Sequence, residues 1–200
     1  MTRIHFIILI SISVSSCSQK FGSTELKDNF SGTEIKDLQK LKSFFQSHMC
    51  GSTDEFRSCI DSLIPYLGEY GYIPILENVE FEEQKEMYSN FESDLFSEIW
   101  EFGKARNLRE NKTYKSIGLN IEGKYALFLK DLSKRNPDLK QYYESIMGAG
   151  NWESMGLLQQ RINTNPEYYD LKDPSIQVLI AVHYLTQNDQ QKRKEPWTDN

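Results

Sequence analysis

The chain is poor in the residues that most often carry chemistry. Of its 200 residues, three are histidine and three are cysteine. It has no Gly-x-Ser-x-Gly elbow, no phosphate-cradling or dinucleotide-binding glycine loop, no His-Glu-x-x-His pair and no EF-hand loop. The common routes to serine hydrolysis, nucleotide chemistry, zinc proteolysis and calcium sensing are thereby excluded, and no catalytic residue, cofactor or metal is expected. Positive charge is also in deficit, with 23 Lys and Arg against 29 Asp and Glu and a net charge of −6. An acidic chain of mixed charge lacks the electrostatic footprint of a nucleic-acid binder. It offers no polybasic patch for anionic headgroups apart from the short run Lys192-Arg193-Lys194. No apolar run reaches the roughly twenty residues that span a bilayer.

What is present begins at the start of the chain. Met1-Thr2-Arg3 is short and positively charged, and Ile4 to Val14 is an apolar run broken by His5, Ser11 and Ser13. That length suits the hydrophobic region of a signal peptide. Val14-Ser15-Ser16-Cys17 follows: an aliphatic residue, two small residues and a cysteine. These four residues, with the segment before them, resemble the signal and lipobox of bacterial lipoproteins. Ser13 to Ser16 also suit an ordinary secretory peptidase. The lipoprotein resemblance implies cleavage before Cys17, acylation of its thiol and usually of its new amino group, and stable attachment through two or more acyl chains. It further implies a cell-envelope location. Ser18, where an aspartate typically favours retention in the inner membrane, points to the outer membrane. The resemblance names an export class and covers none of the chain beyond Cys17.

With Cys17 acylated, Cys50 and Cys59 remain as an even pair in an oxidising compartment. A disulfide between them would close a short loop, worth about 2–3 kcal/mol in the chain-entropy account. Their separation is wider than the Cys-x-x-Cys of redox motifs, so a structural staple is expected.

Four regions follow: a signal over 1–16, a lipidated cysteine and flexible tether over 17–32, a helical domain over 33–187 and a disordered polar tail over 188–200. The fold class is all-α, a single bundle of about six to seven helices, with a short α-solenoid as the alternative. Ile35, Leu38, Leu41, Phe45 and Met49 recur at helical spacing after Thr33. Ser52-Thr53-Asp54-Glu55 is a capping box for a second helix, which Pro65 should kink or shorten. Met87, Phe91, Leu95, Ile99 and Phe102 predict a long third helix over 80–107. A fourth helix is expected over 121–134, although the short runs around Ile117 and over Tyr125 to Leu129 also suit strands. Asn136-Pro137 and Asp173-Pro174 combine a capping acceptor with proline at the first helical position, and Asn151 offers a cap between them. The last helix carries Val178 to Leu185, apolar nearly all round, and is expected to be central and buried.

Candidate chemistry is thin. His183 sits among Leu179 and Ile180 and suits a hydrogen-bonded core position. His48 suits a favourable cation at a helix C-terminus. Glu80, Glu82, Glu83 and Glu86 suit a helix N-terminus. Tyrosines at 66, 70, 72, 142, 143, 168 and 169 exceed what a core places easily, because each hydroxyl needs a partner. Tyr70, Tyr72 and Trp152, the last in the glycine-rich loop 148–153, are the candidate binding residues. Recognition of an envelope protein or of peptidoglycan is the function these features favour. A carboxylate-dependent envelope hydrolase using Glu83 and Glu86 is the alternative, distinguished by convergence of those carboxylates with His183 in one cleft.

Overall fold

The computed structural model describes residues 21–51 and 55–198. Cys17, the lipobox and the capping residue Ser52 lie outside the described residues. The molecule is a helical bundle with one small antiparallel ribbon. In chain order it comprises α1 (Thr24–Asn29), α2 (Gly32–Cys50), α3 (Phe56–Tyr70), α4 (Ile73–Asn78), α5 (Phe81–Ser89), α6 (Leu95–Ile99), β1 (Trp100–Asn107), β2 (Lys112–Leu119), α7 (Lys124–Leu132), α8 (Pro137–Ala149), α9 (Met155–Thr164) and α10 (Pro174–Lys192). Ten helices among the described residues exceed the six to seven expected, because the segment expected as one long helix holds two, α5 and α6, and the short helices α1 and α4 form where none was expected.

Helix α10 organises the core. Its residues Val178 to Leu185 are all buried, and it packs against α2, α4, α5, α9 and β2. A helix in contact with five other elements is the hub of a bundle, whereas a solenoid joins each unit only to its neighbours. Asp173 caps α10 by accepting from the Ser175 N–H at 2.8 Å, with Pro174 at the first position. Asn136 caps α8 in the same way, accepting from Leu139 N–H at 2.9 Å. Helix α2 starts one residue before Thr33, with Ser31 and Glu34 forming a reciprocal capping box. Ser154 rather than Asn151 caps α9.

The long helix expected over 80–107 does not form. Its apolar stripe is used nonetheless, and Met87, Leu95 and Ile99 are buried. The break has a tertiary cause. Asp37 on α2 accepts from the backbone N–H groups of Glu92 and Ser93, both at 2.9 Å, and from the Ser93 hydroxyl at 2.7 Å. Those donors are thereby withdrawn from a helix. Burial pushes the Asp37 carboxyl up, but the hydrogen bonds from Ser93, Glu92 and Lys40 outweigh it and leave the group below its usual range. Beyond Ile99 the chain turns into β1, which pairs with β2 from Trp100↔Leu119 to Asn107↔Lys112. Ile117 therefore lies on a strand, whereas Tyr125 to Leu129 lie on α7. Gly123, before α7, allows close passage of α6, since a side chain there would collide with the Glu98 carbonyl.

Two boundaries move. Within the segment expected as tether, Thr24–Asn29 is helical and Leu26 is fully buried, because α1 packs on α7. The segment expected as a disordered tail continues α10 to Lys192, with Asn188 and Asp189 buried. Asn188 donates to Gln84 at 2.7 Å and to the Val79 carbonyl at 3.1 Å, which gives this polar stretch partners inside the fold. The chain then runs along β2, where Lys115 N–H donates to Glu195 O at 2.8 Å and Trp197 N–H to Thr113 O at 3.0 Å.

Candidate binding surface

Helices α3 and α4 present a groove. The buried face of α3 is Phe56, Cys59, Ile60, Leu63 and Leu67. Cys50, the last residue of α2, is bridged to Cys59, with Cα atoms 5.4 Å apart. The staple thus ties the first turn of α3 to α2. Pro65 sits inside α3 without ending it, and the helix continues to Tyr70. Gly71, at φ 62°, then reverses the chain into α4, with Pro74 in its first turn. A cavity of about 520 Å³ opens between the two helices, lined by Leu63, Tyr66, Tyr70, Ile73, Pro74, Glu77 and Asn78. Around it Tyr66 is 58 % exposed, Tyr70 49 %, Ile73 47 % and Tyr72 45 %. The hydrogen bond to Glu69 holds the Tyr70 phenol above its ordinary range.

Of the candidate binding residues, Tyr70 lines the groove and Tyr72 stands beside it, both exposed. Trp152 is a correction. It is buried, with its ring 5.7 Å from that of Tyr125 and edge-on to His183 at 5.9 Å. The loop was expected to set it at a ligand groove, but neighbouring Glu153 is drawn inward by Arg161, which donates to both its oxygens at 3.0 and 2.9 Å. Ile73, which sequence reasoning missed, is an exposed apolar residue between Gly71 and Pro74, and that punctuation is the signal that marks it.

A second groove, of about 410 Å³, lies between α2 and α5 and is lined by Lys40, Phe44, His48, Glu83, Glu86, Met87 and Asn90. His48 Nε2 lies 2.9 Å from Glu83 and Nδ1 2.8 Å from the Phe44 carbonyl, with the ring against Phe44. Both ring nitrogens face acceptors. Glu83 and Glu86 thus share a groove with His48, not with His183. His183 is fully buried in α10, its Nδ1 2.9 Å from the Tyr142 hydroxyl. Burial holds its ring down to about 3, and the Ser154 backbone opposes that weakly. Such an imidazole stays neutral and structural.

Among the described residues, no group of three or more His, Cys, Asp or Glu side chains is placed to hold a metal ion. No protein-family model, no curated protein and no solved structure matches this chain.

Proposed function

We propose that this chain is a lipid-anchored envelope protein, attached through Cys17 to the outer membrane, that acts as a non-catalytic binding module. The α3–α4 groove is its recognition surface, and its partner is another envelope protein or, second in rank, peptidoglycan. One observation carries the reading: three tyrosines and an isoleucine stand exposed around a single groove on a disulfide-tied helix. Exposed aromatics around a preformed pocket supply large contact area at low entropic cost, which is how interface hot spots are built. From Cys17 to the first residue of α1 the backbone reaches at most about 25 Å. An anchored chain therefore keeps the start of α1 within about 25 Å of the bilayer.

Cross-linked envelopes test it. The wild-type chain should recover a discrete partner that the Tyr66→Ser/Tyr70→Ala variant loses while keeping its melting temperature. Equal recovery by both proteins sinks the groove as the recognition surface. Labelled palmitate should enter the wild-type protein and not Cys17→Ala; an unlabelled, soluble wild type removes the anchor.

The hydrolase reading keeps one favourable observation, the contact of His48 with Glu83 beside Glu86. The side chain of Glu83 is 59 % exposed, so this groove does not exclude water as catalytic acid–base sites do. Cleavage of an envelope polymer that Glu83→Gln abolishes would promote it to first place.

A further inference from the structure

The β1–β2 ribbon projects from an acidic molecule with the opposite charge. Over Trp100–Leu119 there are five cations, Lys104, Arg106, Arg109, Lys112 and Lys115, against two acids, Glu101 and Glu110. The whole chain carries −6. The fold adds a sixth cation from far away in sequence. The last residues run beside β2, bridging Tyr114 to Pro196, and place the Lys194 ammonium 5.6 Å from the Tyr114 ring. Its two neighbours are otherwise engaged: Arg193 is buried against Asp189 at 2.7 Å, and Lys192 donates to the Val79 carbonyl at 2.7 Å. The run that sequence alone leaves as an isolated basic tail thus joins the ribbon, with Lys194 on the Tyr114 face, opposite the face of Lys104, Arg106 and Lys115.

The register sets two like charges opposite one another. Lys104 stands directly opposite Lys115 across the ladder, and Arg106, two residues along β1, shares their face. Like charges in directly opposed positions destabilise a ribbon. Aromatic rings moderate the repulsion, with Lys104 over Trp197 at 5.1 Å and Lys115 over Phe102 at 5.4 Å. Glu101 belongs to the opposite face of the base, and Glu110 accepts from its own neighbours, Tyr114 at 2.5 Å and Asn107 at 3.1 Å.

The tip is apolar where a soluble turn is normally polar. Leu108 is 81 % exposed, the most exposed large apolar side chain of the described residues. It is presented by an ordered turn: the Asn107 side chain accepts from the N–H groups of Arg109 at 3.0 Å and Glu110 at 3.2 Å, and Asn111 takes the left-handed conformation at φ 51°. Arg106, Arg109 and Lys112 surround the leucine. An apolar tip ringed by cations whose long stems allow the charges to stay at headgroup level matches a bilayer interface.

We propose that the tip of the β1–β2 ribbon docks on an anionic phospholipid surface, with Leu108 entering the interface and Arg106, Arg109 and Lys112 facing lipid phosphates. Charge complementarity selects this occupant, and the exposed leucine at the tip favours a bilayer over a nucleic acid, whose phosphates offer nothing to bury it. The contact goes beyond the recognition groove and does not depend on acylation of Cys17. Acting with an anchor, it would fix which side of the domain faces the membrane.

Amide hydrogen exchange on the full chain tests the contact, with vesicles of neutral phosphatidylcholine alone or containing about one third phosphatidylglycerol. Residues 104–115 should gain protection on the anionic vesicles only, and roughly 1 M salt should remove it, because screening shortens the reach of surface charge to a few ångströms. Arg106→Glu/Arg109→Glu/Lys112→Glu should abolish the protection and lower the anionic increment in flotation by roughly a hundredfold. An anchor alone gives flotation on both vesicle types with the ribbon unprotected, which overturns the proposal while leaving the anchor standing. Equal protection on neutral vesicles, or protection by a DNA duplex but not by vesicles, also overturns it. The lipid and salt arms use the unsubstituted protein, so they decide the matter even where the variant fails to fold.

Discussion

Two groups of aromatic residues occupy this molecule under opposite conditions. Tyr125, Tyr142, Trp152 and Tyr184 lie in the core around α10, each at most 6 % exposed. Tyr66, Tyr70 and Tyr72 stand in water beside the α3–α4 groove. Their electrostatics differ in cause. Burial raises the phenols of Tyr125 and Tyr142 far above the ordinary range, whereas Tyr70 is raised by its hydrogen bond to Glu69. The difference teaches that aromatic abundance does not mark a surface. Core tyrosines are those that α10 covers, and the exposed ones lie on α3 and α4, on the side turned away from the packed face of α3.

The sharpest way to break this contrast is to truncate one of the core residues. Trp152→Ala should cost about 3–5 kcal/mol in urea unfolding, the usual range for deleting a buried large aromatic. A loss below about 1 kcal/mol, the scale of surface substitutions, would return Trp152 to the surface group. Next in size is the staple. Cys50→Ala/Cys59→Ala should cost about 2–3 kcal/mol through the freedom returned to the unfolded chain. The loss should equal that of the unsubstituted protein under reducing conditions, and a pair that melts unchanged would show that α3 is held by packing alone. A separate effect is that of pH on the core side. The unfolded chain takes up a proton on His183 below about 6.5, while the folded chain refuses it until about 3. Stability is therefore fully present above 6.5 and falls with pH across that window. His183→Phe should flatten the fall between pH 6.5 and pH 4 in thermal melts; an identical pH profile would mean that the ring is not buried neutral.

Much of this fold is legible from local chemistry. The caps Asn136-Pro137 and Asp173-Pro174, the apolar girdle of α10 and the pairing of Cys50 with Cys59 are written within a few residues, and the structure uses each of them. The ribbon is not legible because its causes are distant. Asp37 captures the Glu92 and Ser93 donors from more than fifty residues away, and helical spacing in Met87, Leu95 and Ile99 persists through a broken helix. The candidate site divides in the same way. Tyr70 and Tyr72 are exposed for a local reason, the Gly71 reversal, whereas Trp152 is buried by contacts with α7 and α10 that no local pattern reports. The charge of the ribbon is the extreme case, since Lys194 joins the ribbon only after the chain has returned across the whole bundle.

The position of α10 also sets an order of events. It is the last helix in the chain and the one that α2, α4, α5 and α9 pack against. Helices made earlier lack their common partner until residues near Leu185 have emerged, so cooperative closure waits for α10. A chain still on the ribosome lacks that partner for that time. The delay leaves the nascent chain dependent on protection from aggregation until this segment arrives.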